Sequence, residues 1–258
     1  MKPTMFHQLA LMAVPDFPLV EPGCELAAMI CDACRRAGIA LDDGDVVVIA
    51  QKIVSKAEGR YVNLSDVTPS AEAKALAIQL KKDPRLVELV LSESTQIIRA
   101  RNNVLIVAHR LGYIMANAGI DQSNISHAAG ERALLLPVDP DGSAADIKDR
   151  LDRAFNIECG VVINDSFGRP WRNGVVGVAI GAAGVCSLQS FVNSPDLFGR
   201  PLRVTEIAIA DEIAAGASLL MGQAAEGYPV IILRGLRRTA NPLPAAALVR
   251  PANQDLFR

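Results

Sequence analysis

The sequence predicts an α+β fold in which helices flank a mixed β-sheet and the chain forms two intimate lobes. Two kinds of connection between apolar segments support this class. Some strand-like segments are separated by helical segments, as in the stretch from residue 25 to residue 50. Others, TQIIRA and NVLIVAHR, are nearly adjacent and predict a hairpin. A chain with both kinds of connection is expected to build a mixed sheet.

Local signals place the elements along the chain. A capping residue or a proline begins several of the expected helices, and a glycine ends the first one. The expected elements are, in chain order, a helix at 25–36 closed by Gly38, a strand at 45–50, a helix opened by Pro69 and Ser70, a helix begun by Asp83 and Pro84, strands at 95–100, 103–110 and 111–116, a helix at 144–155 capped by Ser143, a strand at 160–163, a helix at 209–222 and a strand at 228–235.

The sequence indicates one large domain. The chain has 258 residues, of which 50% are hydrophobic and 21% are charged, so it can bury a sizeable core. It contains no internal repeat, low-complexity tract or Ser/Gly-rich linker. We therefore expect a single domain over residues 1–245, followed by a Pro/Ala-rich tail over residues 246–258.

The composition argues against several classes of partner. The chain has 26 Lys and Arg residues and 28 Asp and Glu residues, a balance that gives no case for binding nucleic acid or a membrane surface. No signal peptide or membrane span is recognisable, and we expect a soluble cytoplasmic protein. The five cysteines indicate no disulfide framework, and for the pair Cys31 and Cys34, in a predicted helix, core packing is favoured.

Two polar clusters each allow two interpretations. Lys52 and Lys56 are four residues apart, so in a helix both ammonium groups would lie on one face. They could face a phosphate or be solvated, and the spacing alone favours solvated surface lysines. Asp121 and Asn124 lie in a second cluster, which could be only a polar turn. Alternatively, its carboxylate and amide oxygens could share a hard-cation and nucleotide site.

The stretch INDSFGRPWRNGVVGVAIGAAG, residues 163–184, has the clearest functional pattern. Asp165 and Ser166 offer a carboxylate and a hydroxyl, which are ligands for Mg²⁺, at what we expect to be the end of a strand. Arg169 and Arg172 could clamp a phosphate or a carboxylate. The glycine spacing matches neither a Rossmann fingerprint nor a P-loop, and we expect these glycines to let the backbone approach a ligand.

A fourth polar loop, MGQAAEGYP at 221–229, precedes the last predicted strand. Its backbone N–H groups could line a nucleotide pocket, or its glycines could simply end a helix, and the sequence favours neither. The three histidines are not spaced as metal ligands and G-x-S-x-G is absent, which argues against zinc enzymes and serine hydrolases. An oxygen-ligand, divalent-metal, phosphate-handling site built from four loops is the interpretation that remains.

Together these stretches resemble one family, the GTP-dependent ligases that add L-glutamate to the precursor of the deazaflavin coenzyme F420. The match covers most of residues 17–240 in the family's order, in the segments FPLVEPGCELA, GDVVVIAQKIVSKAEGR, MANAGIDQSN, LLLPVDPDGSA, GVVINDSFGRPWRNGVVGVAIGAAGV, DLFGRPLRVTEIAIADEIAAGASLLMGQAAEG and PVIILRGL. The resemblance implies a mixed α+β homodimer that binds GTP near the subunit interface, with Mg²⁺ or Mn²⁺. Its other substrates would be the coenzyme precursor and L-glutamate.

The resemblance also implies roles for individual residues. Asp121 and Asp165 would share one metal ion, whereas Ser166 and Gln223 would belong to a second. The residues implied in GTP contact are Phe17, Pro18, Leu19, Val20, Gln51, Lys52, Lys56, Asn124, Met221, Gly222, Gln223, Ala224, Ala225, Glu226, Gly227 and Tyr228. From their position beside Asp165 and Ser166 we count Arg169 and Arg172 as catalytic, as an anion clamp for the coenzyme's phosphate.

Four positions depart from the family's pattern. Gln51 and Lys52 stand where relatives often carry small hydroxyl residues, and Ser166 stands where threonine is common. Gln223 replaces a common acidic ligand, and because an amide oxygen carries no charge we expect a weaker or differently held second metal.

The chemistry implied is the transfer of the γ-phosphoryl group of GTP to a carboxylate, followed by attack of the glutamate amine on the acyl phosphate. Two alternatives stay open at this point. One is a related carboxylate–amine ligase with a different acceptor or number of added glutamates. The other is a GTP-binding module without catalysis.

Overall fold

The computed structural model of the chain describes residues 7–101, 103–127, 130–237 and 240–255. Within these ranges the chain forms twelve strands and six α-helices. The strands are β1 (Ala10–Ala13), β2 (Val46–Ala50), β3 (Tyr61–Asn63), β4 (Ser94–Arg101), β5 (Val104–His109), β6 (Ile114–Ala116), β7 (Arg132–Leu134), β8 (Gly160–Arg169), β9 (Arg172–Ala183), β10 (Gln189–Ser190), β11 (Glu206–Ile207) and β12 (Val230–Arg234). The helices are α1 (Leu26–Arg36), α2 (Gln51–Ala57), α3 (Ala71–Leu80), α4 (Pro84–Ser92), α5 (Pro140–Phe155) and α6 (Ile209–Met221).

A five-stranded mixed sheet forms the centre of the fold, in the order β1-β12-β2-β8-β9. Strands β2 and β8 are parallel, and the other neighbours are antiparallel. Side chains alternate along β2: Val47 and Ile49 pack in the core with α1 and α5, whereas Val46 and Val48 pack with α6. Helices therefore cover both faces of the sheet. The predicted α+β fold with a mixed sheet is confirmed.

A smaller three-stranded sheet, β4-β5-β6, packs with α3 and α4 around a core of its own. Leu80 of α3, Val90 of α4 and Leu105 of β5 are buried there. Strands β4 and β5 form the predicted hairpin. The polar turn at residues 117–124 directly follows β6. The three-stranded sheet thus positions one of the four polar clusters next to the central sheet.

The start of α5 differs from the prediction. Its cap is Asp139, whose carboxylate accepts a hydrogen bond from the Gly142 N–H at 3.1 Å, and Pro140 occupies the first turn. Ser143 lies within that turn, and its hydroxyl donates to Glu58 Oε1 at 2.6 Å. The Asp-Pro pair that correctly predicted the start of α4 is therefore also the signal for α5.

The described residues test two further expectations, one about the cysteine pair and one about membrane-spanning helices. Cys31 and Cys34 are buried in the core beneath α1, and burial raises the pKa of both thiols, as expected for packing residues. None of the described helices combines the length and the apolar character that crossing a membrane requires. The division at residue 245 stays a prediction, and residues 256–258 of the tail lie outside the described residues.

Candidate functional site

The carboxyl end of β2 runs directly into α2, which brings Gln51 and both lysines to the edge of the central sheet. Gln51 is buried, and its Nε2 donates to Asp121 Oδ2 at 3.0 Å while its Oε1 accepts from the Ser55 hydroxyl at 3.0 Å. Both ends of this amide are therefore held. Gln51 fixes the orientation of the Asp121 carboxylate from a position 70 residues earlier in the chain.

The two lysines do share one face of α2, and both contact the 117–124 turn. Lys52 Nζ lies 3.3 Å from Asp121 Oδ2 and donates to the Ser123 hydroxyl at 3.1 Å. Lys56 Nζ donates to the Asn124 carbonyl at 2.8 Å, and burial lowers the pKa of Lys56. These lysines have specific partners, so the interpretation that they are simply solvated is wrong.

The backbone that leads to Asp121 is held in an uncommon conformation. Asn117, Ala118 and Gly119 have positive φ angles of 51°, 53° and 67°. Such a conformation costs free energy at a non-glycine residue and persists where the surroundings impose it. Asp121 then exchanges two backbone hydrogen bonds with Leu134, at 3.0 and 2.8 Å. The turn therefore fixes the position from which the Asp121 carboxylate projects.

Asp165 lies close to Asp121, although these residues are 44 positions apart in the chain. Burial raises the pKa of Asp165 to about 7, the Asp121 charge adds to that increase, and Lys52 opposes it. The Asp165 Oδ1 also accepts a hydrogen bond from the Ser166 N–H at 2.8 Å. Burial likewise raises the pKa of Asp121. The two carboxylates thus lie together in a poorly solvated part of the structure. The Lys52 ammonium group contacts one of them, Asp121.

The expectation that Asp165 and Ser166 end a strand is wrong, because β8 continues to Arg169 and pairs with β9. Neighbouring residues in a strand point to opposite faces of the sheet. Asn164 donates from Nδ2 to the Ser218 hydroxyl of α6 at 2.9 Å, so Asn164 and Ser166 face α6. Asp165 faces the opposite side, toward Asp121. The structure therefore separates the side chains of Asp165 and Ser166.

The 221–228 loop begins where α6 ends, at Gly222 with φ 69°. Asn124 Nδ2 donates to the Ala224 carbonyl at 3.1 Å, and Glu226 Oε2 accepts from the Ala224 N–H at 2.8 Å. The loop is thereby linked to the same turn that holds the lysines. Its residues after Gly222 are exposed, namely Gln223, Ala224, Ala225, Glu226, Gly227 and Tyr228.

The N-terminal segment at 17–20 lies beside α2. Phe17 packs partly against the main core, Val20 is buried, and Pro18 and Leu19 are exposed. The next residue, Glu21, is close enough to Lys56 for its charge to oppose the lowering of the Lys56 pKa by burial. The four predicted segments, 17–20, 51–56, 121–124 and 221–228, therefore meet around α2 and the end of β2.

The two arginines lie at the far end of the β8–β9 hairpin. Arg169 and Arg172 are paired across the strands and joined by Pro170 and Trp171. Trp171 is 91% exposed with φ 62°, and Arg169 Nη1 is buried without a hydrogen-bond partner. Arg169 is four residues beyond Asp165, roughly 13 Å along a strand. The arginines are neighbours, as the spacing predicted, but no described contact connects them to the carboxylates.

Gly177 and Gly181 of β9 have a packing role rather than the expected ligand role. A Cβ atom on Gly177 would lie 2.4 Å from the Ala214 carbonyl oxygen of α6, and one on Gly181 would lie 2.3 Å from the Pro140 carbonyl oxygen of α5. Two helices therefore approach this strand more closely than a side chain would permit. The expectation that these two glycines bring the backbone to a ligand is wrong.

The oxygen-rich arrangement contains two carboxylates rather than a larger cluster. Within the described ranges, no group of three or more His, Cys, Asp or Glu side chains is placed to hold a metal ion. Asp121 and Asp165 are the two carboxylates of this arrangement, and Ser166 lies on the opposite face of the sheet. Sequence reasoning missed two contributors, Ser123 and Asn164, although both lie inside the motifs that were singled out.

A groove of about 530 Å³ lies elsewhere, between α1, α2 and α5. Its acidic side chains already have partners within the chain. Glu58 accepts from the Val138 N–H at 3.0 Å and from the Ser143 hydroxyl, while Arg150 pairs with Asp146 at 2.9 Å. We therefore place the candidate site at the carboxylates and lysines and not at this groove.

Two carboxylates and two lysines that meet beside the end of β2 are side chains of the kind with which enzymes hold divalent cations and phosphate groups. The sequence matches the F420-0:gamma-glutamyl ligase family over residues 16–235. It is 45% identical to the coenzyme F420:L-glutamate ligase of Methanothermobacter thermautotrophicus, across 97% of this chain and 99% of the relative. The chain belongs to the F420-0:gamma-glutamyl ligase family.

Other relatives agree over similar lengths. The coenzyme F420:L-glutamate ligase of Methanopyrus kandleri is 42% identical, across 97% of this chain and 98% of the relative. That of Methanosarcina mazei is 40% identical, across 96% of this chain and 94% of the relative. The resemblance noted from the motifs is thus confirmed at the level of the family.

Proposed function

We propose that this chain is a GTP-dependent ligase that forms an amide between L-glutamate and a carboxylate of the coenzyme F420 precursor. Family membership and the names of the relatives support the glutamate ligation. The single observation that carries the site is the pair of carboxylates Asp121 and Asp165, with Gln51 and Lys52 in contact with Asp121. GTP as phosphoryl donor is the part of the proposal that the resemblance contributes.

The donor set fits a hard divalent cation. Asp165 has a raised pKa because its carboxylate is buried and lies close to a second carboxylate. A divalent cation, Mg²⁺ or Mn²⁺, would stabilise both carboxylates in their charged form and supply positive charge to the phosphates of GTP. Asp121 and Asp165 would hold this first ion. Ser166, which faces α6, and Gln223, in the loop that follows α6, would hold a second one.

The nucleotide would lie against α2 and the loops around it. Lys52 and Lys56 would position the phosphate groups, since both ammonium groups face the 117–124 turn. Asn124 already links that turn to the 221–228 loop, so both would close on the same ligand. Phe17–Val20 would contribute the remaining contact from the N-terminal side of α2.

The reaction would proceed in two steps. A carboxylate oxygen of the coenzyme precursor forms a bond to the γ-phosphorus of GTP, and the bond from that phosphorus to the β,γ-bridging oxygen breaks, releasing GDP. The amine of glutamate then attacks the acyl carbon of the acyl phosphate. The new C–N bond replaces the C–O bond to phosphate, and the amine loses its proton. Lys52 would keep the transferring group aligned, and Arg169 with Arg172 would bind the phosphate of the coenzyme.

The proposal includes the setting in which the ligase works. We assign it to the cytoplasm as a homodimer with the nucleotide near the subunit interface. The exposed arm between β10 and β11 carries Leu197 and Phe198, 99% and 95% exposed, and is one surface that a second copy would cover.

The mass of the product tests this proposal. Metal-stripped protein is incubated with the deazaflavin precursor, glutamate, GTP or ATP, and Mg²⁺ or Mn²⁺. We expect a mass increase of one or more glutamyl residues with GTP, matched by GDP release. Asp165→Ala is expected to abolish it, whereas Asp146→Ala, which removes a 62% exposed carboxylate on α5, serves as the matched control and retains activity.

Each alternative has its own outcome in that assay. Ligation to another carboxylate acceptor, or with ATP alone, would replace the substrate assignment and keep the enzyme class. GTP binding without any product would favour the non-catalytic module. Full turnover by Asp165→Ala at saturating Mn²⁺ would contradict the assignment of that carboxylate.

A further inference from the structure

Strand β9 contains a β-bulge directly opposite the start of the candidate site. Ile163 of β8 pairs with Gly181, but the next residue, Asn164, pairs with Ala179. Ile180 is therefore the additional residue in β9. Bulges of this kind re-aim side chains and interrupt the ladder of backbone hydrogen bonds. The bulge in β9 lies beside Asn164, the residue that precedes Asp165.

Because of the bulge, residues of β9 before and after Ile180 that would share one face of a regular strand contact different helices. Gly177 and Gly181 are four residues apart, so in a regular strand both would face the same side. Instead, Gly177 packs against α6 and Gly181 packs against α5. The extra residue at Ile180 accounts for this change. Both close helix contacts therefore depend on the bulge being formed.

Three side chains from three different parts of the chain hydrogen-bond to the backbone of β9 at the bulge and on its two sides. Asp211 of α6 accepts from the Ala179 N–H at 2.9 Å, and Asp141 of α5 accepts from the Ala182 N–H at 2.8 Å. Tyr113, between β5 and β6, donates its hydroxyl to the Ile180 carbonyl at 2.6 Å. Buried backbone groups outside a ladder need such partners. The three contacts form a clamp around the bulge.

Tyr113 also contacts the candidate strand itself. Its ring meets Phe167 edge-on, with centroids 6.1 Å apart and an interplanar angle of 69°. Phe167 follows Asp165 by two residues, so the two side chains share a face of β8. Tyr113 therefore contacts β9 through its hydroxyl and β8 through its ring. The two contacts lie on either side of Asp165, at Ile180 and at Phe167.

We propose that Tyr113 is a positioning residue for Asp165: it holds the Ile180 bulge and the Phe167 ring, and so fixes the direction in which the Asp165 carboxylate points. Asp211 and Asp141 complete the clamp by holding the N–H groups on the two sides of Ile180. This inference rests on the proposed function only in taking Asp165 as a cation ligand. It concerns the orientation of the carboxylate and not the transfer chemistry.

Mn²⁺ affinity of metal-stripped protein, measured from the electron paramagnetic resonance signal of the free ion, is the first test. Tyr113→Phe removes only the hydroxyl, and we expect it to weaken Mn²⁺ binding about tenfold, as loss of a group that orients a metal ligand does. The matched control is Ser187→Ala, which removes another buried hydroxyl that donates to a backbone carbonyl, that of Leu243, at 2.7 Å. A merely structural effect would lower the melting temperature of both variants and leave the Mn²⁺ affinity unchanged.

Amide hydrogen exchange across residues 176–184 is the second readout. Tyr113→Phe should accelerate exchange at Ala179 and Ala182, whereas Ser187→Ala should not. Unchanged Mn²⁺ affinity in a folded Tyr113→Phe protein, with the wild type binding the ion, would overturn this inference alone. A wild type that binds no Mn²⁺ would overturn the proposed cation site instead.

A second pair of variants covers the case in which Tyr113→Phe fails to fold. Asp211→Asn keeps a side-chain oxygen that can accept from the Ala179 N–H, and Asp211→Ala does not. We expect Asp211→Asn to bind Mn²⁺ nearly as the wild type does, and Asp211→Ala to bind it about tenfold more weakly. Equal affinities for these two variants would contradict the clamp.

Discussion

Two partly buried carboxylates in this molecule have opposite surroundings. Glu93, just after α4, accepts hydrogen bonds from Arg60 at 3.2 Å and Arg110 at 3.0 Å, with His109 Nε2 at 3.5 Å. The contact with His109 and then those with the arginines lower the pKa of Glu93 to about 2. At Asp165, burial and a neighbouring carboxylate raise the pKa to about 7.

The difference separates a structural carboxylate from a functional one. A carboxylate surrounded by cations is favoured in its charged form, so its interactions stabilise the fold. A carboxylate whose neighbour is another carboxylate is disfavoured in its charged form and gains most from an added cation. Glu93 therefore belongs to the first kind, and we assign Asp165 to the second. The following predictions test this contrast, from the largest expected effect to the smallest.

Replacing Asp165 by Asn should have the largest effect on activity and a mild effect on stability. We expect ligation to fall about 1,000-fold, because the carboxylate that supports charge on the transferring group is lost. The melting temperature of the metal-free protein should rise by about 2–4 °C, since an unfavourable buried charge is removed. The product-mass assay measures the rate of ligation, and thermal unfolding in the presence of a chelator measures the melting temperature. A destabilised but active variant would reverse the assignment.

Replacing Lys52 by Met should reduce ligation about 100-fold. The variant removes the ammonium group that lies 3.3 Å from Asp121 and faces the proposed phosphate position. Lys148→Met is the matched control, because Lys148 is another partly buried lysine paired with an aspartate, Asp152. Steady-state kinetics with GTP should show the loss only for Lys52→Met. Comparable losses in both variants would mean that the effect is general.

Replacing Glu93 by Gln should destabilise the protein by about 2 kcal/mol, because two arginines then lose the charge that compensates them. The melting temperature should fall by roughly 4–8 °C, and kcat of the folded enzyme should be unchanged. Glu131→Gln removes an exposed carboxylate paired with Arg85 and should cost less than about 0.5 kcal/mol. Urea unfolding measures both. A large loss of kcat in Glu93→Gln would contradict the assignment of Glu93 as a purely structural carboxylate.

Glu93 also predicts how stability depends on acid. Its pKa is about 2 in the folded protein and is expected near the ordinary value of 4.5 in the unfolded chain. The folded state therefore binds fewer protons between these values, so the stabilisation is present above about pH 4.5 and is lost as the pH falls toward 2. Unfolding at pH 5, 4 and 3 should show a shallower loss for Glu93→Gln than for the wild type. Parallel losses would exclude Glu93 as the cause.

Most of the fold could be predicted because its signals are local. Ser70 and Asp83 cap their helices through side-chain contacts only two or three residues long. The long β8–β9 hairpin was not predicted, because Asp165 and Ser166 look like residues that end a strand. Strand pairing with β9 decided the outcome, and no local pattern in β8 indicates that pairing.

The candidate residues could be named from the sequence, but their partners could not. Gln51 reaches Asp121 across 70 positions, and Asn124 reaches Ala224 across 100. Contacts of this kind depend on the tertiary fold. Tyr113 has no sequence signal at all, because its role depends on a bulge in a strand that is 67 positions away.

The central claim is that a divalent cation would compensate the charge of Asp165, whereas Arg60 and Arg110 already compensate the charge of Glu93. Titration of Mn²⁺ into metal-stripped wild type, Asp165→Asn and Glu93→Gln tests it most directly. The account predicts saturable binding by the wild type, nearly equal binding by folded Glu93→Gln, and affinity at least tenfold lower for Asp165→Asn. Equal affinity of Asp165→Asn and the wild type would contradict it.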